Sequence, residues 1–314
     1  MEVGALRFLV ITGQTASGKE RVALAAAEQL GGEIISLDSM KVYRGMDVGT
    51  AKPGAADRRR VPHHLLDVAD PHESFSAARW VDLANPALAD VASRDRVPIV
   101  SGGTLLYLKA LLYGLFEGPS ADPAIRARLR AEASSAGSAA LHDQLAQVDP
   151  VAAQRIHPND LRRIVRALEV HEITGRPISE QQRQFGRMRP GLAPFMVAIR
   201  RTRKDLRRRI DERVTHMVAA GFEAEVSRLL ASPAGLSREA AQAVGYREMI
   251  DRVQGRLSPD EAVEQMMKNT WTFARRQMTH LRSLQGLIWL EVAPDEAVEA
   301  VAARIVGLWR EHAA

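Results

Sequence analysis

The chain has 314 residues, a formal net charge of +5, and 46% hydrophobic against 26% charged residues. These proportions exclude a disordered or fibrous chain, and no apolar run reaches the roughly 20 residues that a membrane span needs. Cysteine is absent, which excludes disulfides, zinc ribbons and cysteine nucleophiles, so any metal must take oxygen or histidine ligands. The first residues carry neither a charged leader nor a cleavage site, and the expected location is cytoplasmic.

In chain order, residues 7–11 (Arg-Phe-Leu-Val-Ile) are predicted to form a short buried strand, followed by a Gly-rich turn and an Ala-rich helix over 19–30. A second strand is predicted at 33–37, a long loop at 44–62, a helix at 76–93, a strand at 97–101 and a helix at 105–114. Strands alternating with helices imply βαβ units and a parallel sheet. The texture changes at 117–123 (Glu-Gly-Pro-Ser-Ala-Asp-Pro), and from there to about 190 the sequence shows helical periods only, at 123–135, 138–148 and 160–174. A strand at 194–199, helices at 203–220, 222–231 and 259–284, a strand at 287–292 and a helix at 295–310 complete the chain. The expected organisation is an α/β core, residues 1–118 and 194–314, interrupted by an all-helical insert at 119–193. Trp271, Phe273 and Met278 are read as core residues of the 259–284 helix.

Charge is unevenly spread. Residues 155–213 hold 15 arginines and Lys204 against seven acids, a local net of +9, so the remainder sums to −4. Such asymmetry points to a partner made of phosphates; genomic base composition and a solvated helical face are the bland alternatives.

The first strand runs into Gly13-Gln14-Thr15-Ala16-Ser17-Gly18-Lys19, a G-x-x-x-x-G-K phosphate loop in its required strand–turn–helix setting. Backbone N–H groups curl round an anion there, the helix dipole adds to them, and Lys19 reaches the outer phosphate. The pattern continues with Ser or Thr, whose hydroxyl binds Mg²⁺; this chain has Glu20. Glu20 is therefore a candidate metal ligand, or else a first-turn acid that suits the helix dipole or pairs with a nearby base. Asp38-Ser39 and Gly102-Gly103-Thr104 each follow a strand, at the sheet edge where ligands of open α/β sheets bind. Asp38 is a candidate general base or metal ligand, or an N-cap. His64-Leu65-Leu66-Asp67 is the one rough match to an apolar strand ending in an acid, and His63-His64 read as structural histidines.

Taken together, these motifs resemble the bacterial tRNA dimethylallyltransferase family. The stretches that carry the likeness are Gly13–Lys19, Ile35–Pro53 (Ile-Ser-Leu-Asp-Ser-Met-Lys-Val-Tyr-Arg-Gly-Met-Asp-Val-Gly-Thr-Ala-Lys-Pro), Pro62–Asp67, Gly102–Tyr107, Ser120–Pro123, Arg163–Glu169, Val244–Arg247 and Arg275–Arg282. They run in family order over nearly the whole chain, and Ile35–Pro53 is the most specific. The resemblance implies a P-loop NTPase-like parallel sheet core with a helical, tRNA-facing insert. It implies transfer of a dimethylallyl group from dimethylallyl diphosphate to N6 of adenosine 37, in the anticodon stem-loop of tRNAs reading codons that start with U, with Mg²⁺; a monomer is expected. By motif position, Asp38 is then the base near N6, Thr104 and Arg126 lie near the reacting groups, and Gly13–Glu20 bind diphosphate or nucleotide. The implied tRNA-contacting residues are Asp38, Ser39, Met40 and Lys41; Arg162, Arg163, Ile164, Val165 and Arg166; and Gln242, Ala243, Val244, Gly245, Tyr246 and Arg247. The chain departs from the family pattern at Gln14 (usually Pro), Glu20 (Thr or Ser), Leu37 (a small residue) and Lys41 (Gln), and Lys41 and Glu20 could form a pair. Competing readings are a phosphate-loop small-molecule kinase, a prenyltransferase acting on free nucleotide, and a non-catalytic tRNA-binding paralogue.

Overall fold

The computed structural model describes residues 5–116, 118–182 and 187–313. Six strands form one all-parallel sheet: β1 (Leu6–Gly13), β2 (Glu33–Leu37), β3 (His63–His64), β4 (Pro98–Gly102), β5 (Leu192–Arg200) and β6 (Leu287–Glu291). Their order is β3-β2-β4-β1-β5-β6, so β1 is central. It pairs on one side with β4, Val10 beside Val100, and on the other with β5, Val10 beside Met196. Strands covered on both faces read as continuous apolar runs, which is why Phe8-Leu9-Val10-Ile11 has no polar alternation and is fully buried.

Leu9 and Ile11 of β1, with Val197 and Ile199 of β5, pack against the helices Lys19–Leu30 and Val298–Ala313 through Val22, Ile305 and Trp309. Against the β2 backbone lies the helix Ala77–Ser93, whose buried Trp80 donates its indole N–H to the Ser36 carbonyl at 3.0 Å and stacks on Tyr107. The residues up to Leu112 together with those from Pro190 onward make one compact unit, and Tyr113–Arg189 make a second. Among its described residues the second has helices and no strand, with its own core of Leu129, Leu141, Leu145, Ile164 and Leu168.

Two predictions need correction. The loop expected at 44–62 contains a short helix, Ala55–Arg60, before β3; six residues are too few to show a helical period. Phe273 is exposed rather than core. The buried face of the helix Pro259–Leu281 runs through Ala262, Met266, Thr270, Ala274, Gln277 and Leu281, and Phe273 falls off that row. Trp271 is half-buried, with Arg203 and Arg207 over its ring. Among the described residues, no helix is long and apolar enough to cross a membrane.

Candidate active site

Three features meet the carboxyl edge of the sheet within the first unit. The loop Gly13–Gly18 leaves β1 with Ala16 (φ 61°) and Gly18 (φ 89°) in the left-handed region, the alternation that turns successive amides to one side as an anion-binding nest. The first turn of the helix Lys19–Leu30 adds amides that have no helical acceptor. The loop is braced from outside. Arg201 Nε donates to Ser17 O and Arg209 Nε to Ala16 O, both at 2.8 Å. Gln277 accepts from Thr15 N at 2.7 Å and donates to Gly103 O at 3.0 Å, tying the two Gly-rich turns together. Gln14, where the family pattern has Pro, donates to Ala274 O at 2.9 Å.

Lys19 is buried, with one hydrogen bond among the described residues, to Gln14 O at 3.3 Å. Burial pushes its ammonium below the usual lysine range; Arg213 and Lys41 act the same way, against the pull of Glu20 and Asp38. Glu20 turns to Lys41 and forms an ion pair with it. Burial would raise the Glu20 carboxyl, but Lys41, Lys19 and Arg213 overcome that and hold it at about 2. Ser17 Oγ is buried with no partner among the described residues.

Asp38 follows β2. Its Oδ1 accepts from Met40 N at 2.8 Å and Lys41 N at 3.2 Å, which fixes the carboxylate and leaves Oδ2 without a hydrogen bond among the described residues. Ser39 N donates to Thr104 Oγ1 at 3.0 Å, and Thr104 N donates to Leu37 O at 3.1 Å, so the two strand ends are stitched together. Gly102 permits that approach: a Cβ there would lie 2.1 Å from Leu37 O. The structure thus brings Asp38, Ser39, Thr104, Lys41, Glu20 and the phosphate loop to one edge. A cavity of about 790 Å³ is lined by Lys19, Glu20, Lys41, Ser101 and Arg213; Asp38, Ser39 and Thr104 lie outside its lining.

The other expected site residues are held by the following partners. Arg126, in the second unit, makes a two-pronged pair with buried Glu169, at 2.7 and 2.9 Å. Arg166 joins the same carboxylate at 2.6 Å and donates to Pro119 O. Ile164 and Val165 are buried in that unit's core, whereas Arg162 and Arg163 are exposed. In 242–247, Gln242, Val244 and Arg247 reach the surface and Ala243 is half-buried. Gly245 and Tyr246 are buried, and the Tyr246 hydroxyl donates to Glu225 at 2.6 Å. Asp67, the rough match to a strand-ending acid, is taken by Lys52 at 2.7 Å and Arg58 at 2.8 Å. His63 meets the Val61 carbonyl and His64 meets Glu33.

Arg201, Arg209, Arg213 and Gln277 are the site residues that sequence reasoning missed. The first three belong to the basic stretch 155–213, whose surplus therefore serves the phosphate loop in part. Arg163→Ala and Arg166→Ala are expected to separate accordingly. With Arg163 against tRNA, as the resemblance implies, Arg163→Ala should weaken tRNA binding and lower its log–log salt slope by roughly 0.7–0.9 with an unchanged melting temperature. Arg166→Ala should also lower the melting temperature, because it strips a partner from buried Glu169. Salt-titrated tRNA binding and thermal unfolding check both.

The family model for IPP transferase matches residues 41–284. The tRNA dimethylallyltransferase of Desulfosudis oleivorans is 47% identical over 285 residues, 91% of each chain. The solved tRNA isopentenylpyrophosphate transferase of Bacillus halodurans is 36% identical with a TM-score of 0.70, covering 98% of both chains. A eukaryotic dimethylallyltransferase, solved acting on tRNA, gives a TM-score of 0.82 at 25% identity over 98% of this chain and 79% of that one.

Proposed function

The chain belongs to the IPP transferase family, and from that premise we propose that it transfers the dimethylallyl group of dimethylallyl diphosphate to N6 of adenosine 37 in tRNAs reading codons that start with U. Diphosphate is the other product. The observation that carries the reading is Asp38, its Oδ1 fixed by two amides and its Oδ2 open, on the same sheet edge as the phosphate loop. One strand, β4, separates β2 from β1, so the two ends lie roughly 10 Å apart, room for a diphosphate and an allylic carbon.

The adenine N6 lone pair forms the new bond to C1 of the allyl group. The C1–O bond breaks, its electron pair leaves with diphosphate, and the N6 proton passes to Asp38. The exocyclic amine is a poor nucleophile, because its lone pair is delocalised into the ring, so a positioned base matters most as the N–C bond forms. Lys19 and the loop amides stabilise the charge growing on the leaving group. Thr104 holds Ser39 and hence the Asp38 turn, and Arg126 is proposed to act on the reacting groups as well. The base must leave its stack to reach the pocket.

Mg²⁺ fits the oxygens present: the unpartnered Ser17 hydroxyl and the ionised Glu20 carboxylate are hard donors. Among the described residues no three Asp, Glu or His side chains converge to cage a metal. Ser17 and the Glu20 oxygen that Lys41 leaves open would therefore hold the ion together with the diphosphate's own oxygens, and bound there it would withdraw charge from the leaving group.

For RNA, the exposed Arg162, Arg163, Gln242, Val244 and Arg247 are the proposed contacts from the helical insert and from residues 242–247. Asp38, Ser39 and Met40 are the proposed contacts at the sheet edge. A kinase fits less well: β4, beside β1, ends in Ser101-Gly102 and lacks the acid that holds magnesium on a nucleoside triphosphate. Diphosphate release from dimethylallyl diphosphate tests the reading. Release that requires unmodified tRNA is expected; release of phosphate from ATP, with none from the allylic substrate, would overturn it.

A further inference from the structure

The phosphate-loop pattern places a hydroxyl after its lysine, and a carboxylate there repels a diphosphate unless a cation answers it. In this chain Lys41 is that cation. Its side chain is 4% exposed and its carboxylate partner is Glu20. Its backbone is pinned in turn, Lys41 N donating to Asp38 Oδ1. An ammonium has three donors and no acceptor. Among the described residues Lys41 Nζ has Glu20 as its partner and Lys19 Nζ has one long bond, to Gln14 O. Both lysines therefore keep donors open in the cavity they line together, and buried ammonium donors without acceptors are costly.

A separate observation also points to a ligand. Ser101 Oγ is buried in the wall of the same cavity with no partner among the described residues, as is Ser17 Oγ in the loop. The local balance suits a polyanion. Lys19, Lys41 and Arg213 face Glu20 and Asp38, a cationic surplus before any ligand arrives.

Resting on the prenyl-transfer reading of this site, we infer that Lys41 is a second diphosphate-binding ammonium, held beside Lys19 by Glu20. Glu20 is a positioning residue: it pairs with a buried lysine and keeps it aimed, where the usual hydroxyl could not. Lys41 then belongs to the diphosphate, rather than to the tRNA contacts among which its position falls.

The test is calorimetric titration of inorganic diphosphate into the whole protein in EDTA, with melting temperatures recorded for each variant. Lys41→Gln removes an attraction and unmasks a carboxylate, and should weaken binding by about 100-fold, the upper range for one charge-assisted hydrogen bond. In a Glu20→Thr background no carboxylate is unmasked, and the same Lys41→Gln change should cost only about tenfold. The double variant should accordingly bind diphosphate tighter than Lys41→Gln alone. Affinity for tRNA should stay within about threefold in Lys41→Gln. The inference is overturned if Lys41→Gln changes diphosphate affinity by less than about threefold in either background, or if tRNA affinity falls instead. It is also overturned if the double variant binds no better than Lys41→Gln. Should the wild type show this coupling yet transfer no prenyl group, the inference stands and the transferase reading fails.

Discussion

Replacing Asp38 with asparagine is expected to slow the single-turnover transfer of the dimethylallyl group by about 10²–10⁴, the usual worth of a positioned base. Asparagine is the informative choice because it retains the Oδ1 acceptor for Met40 N and Lys41 N, so the turn survives while the proton acceptor is lost. Asp38→Ala should be at least as slow, and should also loosen the turn that carries Lys41. In Asp38→Asn, tRNA affinity and melting temperature should stay close to wild type, placing the loss on the chemical step. A single-turnover rate within about threefold of wild type would remove Asp38 from proton transfer.

The largest effect on stability is expected at Glu225, remote from the chemistry in sequence and buried in the first unit. Its two oxygens accept from the amides of Asp47, Val48 and Gly49, at 2.9, 2.7 and 3.2 Å, and from the Tyr246 hydroxyl at 2.6 Å. Burial and this carboxylate push the Tyr246 phenol well above its ordinary value, so the tyrosine serves as a neutral donor. Glu225→Ala leaves buried donors unanswered and should cost about 3–5 kcal/mol, the range for breaking a buried charged network. Glu225→Gln keeps one acceptor oxygen and should cost less. Chemical denaturation checks both; a loss below about 1 kcal/mol for alanine would show that water replaces the carboxylate.

Much of the sheet was legible because its strands are short apolar runs bounded by turn residues. Phe8–Ile11 and Ile34–Leu37 sit where they were expected, and the phosphate loop is a local motif whose geometry follows from its own glycines. What lay beyond the sequence was long-range bracing. Gln277 holds Thr15 from 262 residues away; the stretch Arg275–Arg282 marks its position but not that contact. Arg201 and Arg209 were visible only as charge, and their inward turn onto the loop depends on β5 lying beside β1. The Lys41–Glu20 pair could be raised from sequence, since two departures from one pattern carry opposite charges, but only packing sets the lysine against the helix start. Phe273 failed for the opposite reason: an aromatic in an amphipathic helix is usually core, and here the buried row passes it by.

The most direct measurement is nucleoside analysis of tRNA after incubation with the protein, labelled dimethylallyl diphosphate and Mg²⁺. The expected result is label on N6 of a single adenosine, position 37, in tRNAs reading codons that begin with U, and no label when that adenosine is replaced by guanosine. Undiminished labelling after the replacement, or no labelled nucleoside from the wild-type protein at any Mg²⁺ concentration, would contradict the transferase assignment of this sheet edge.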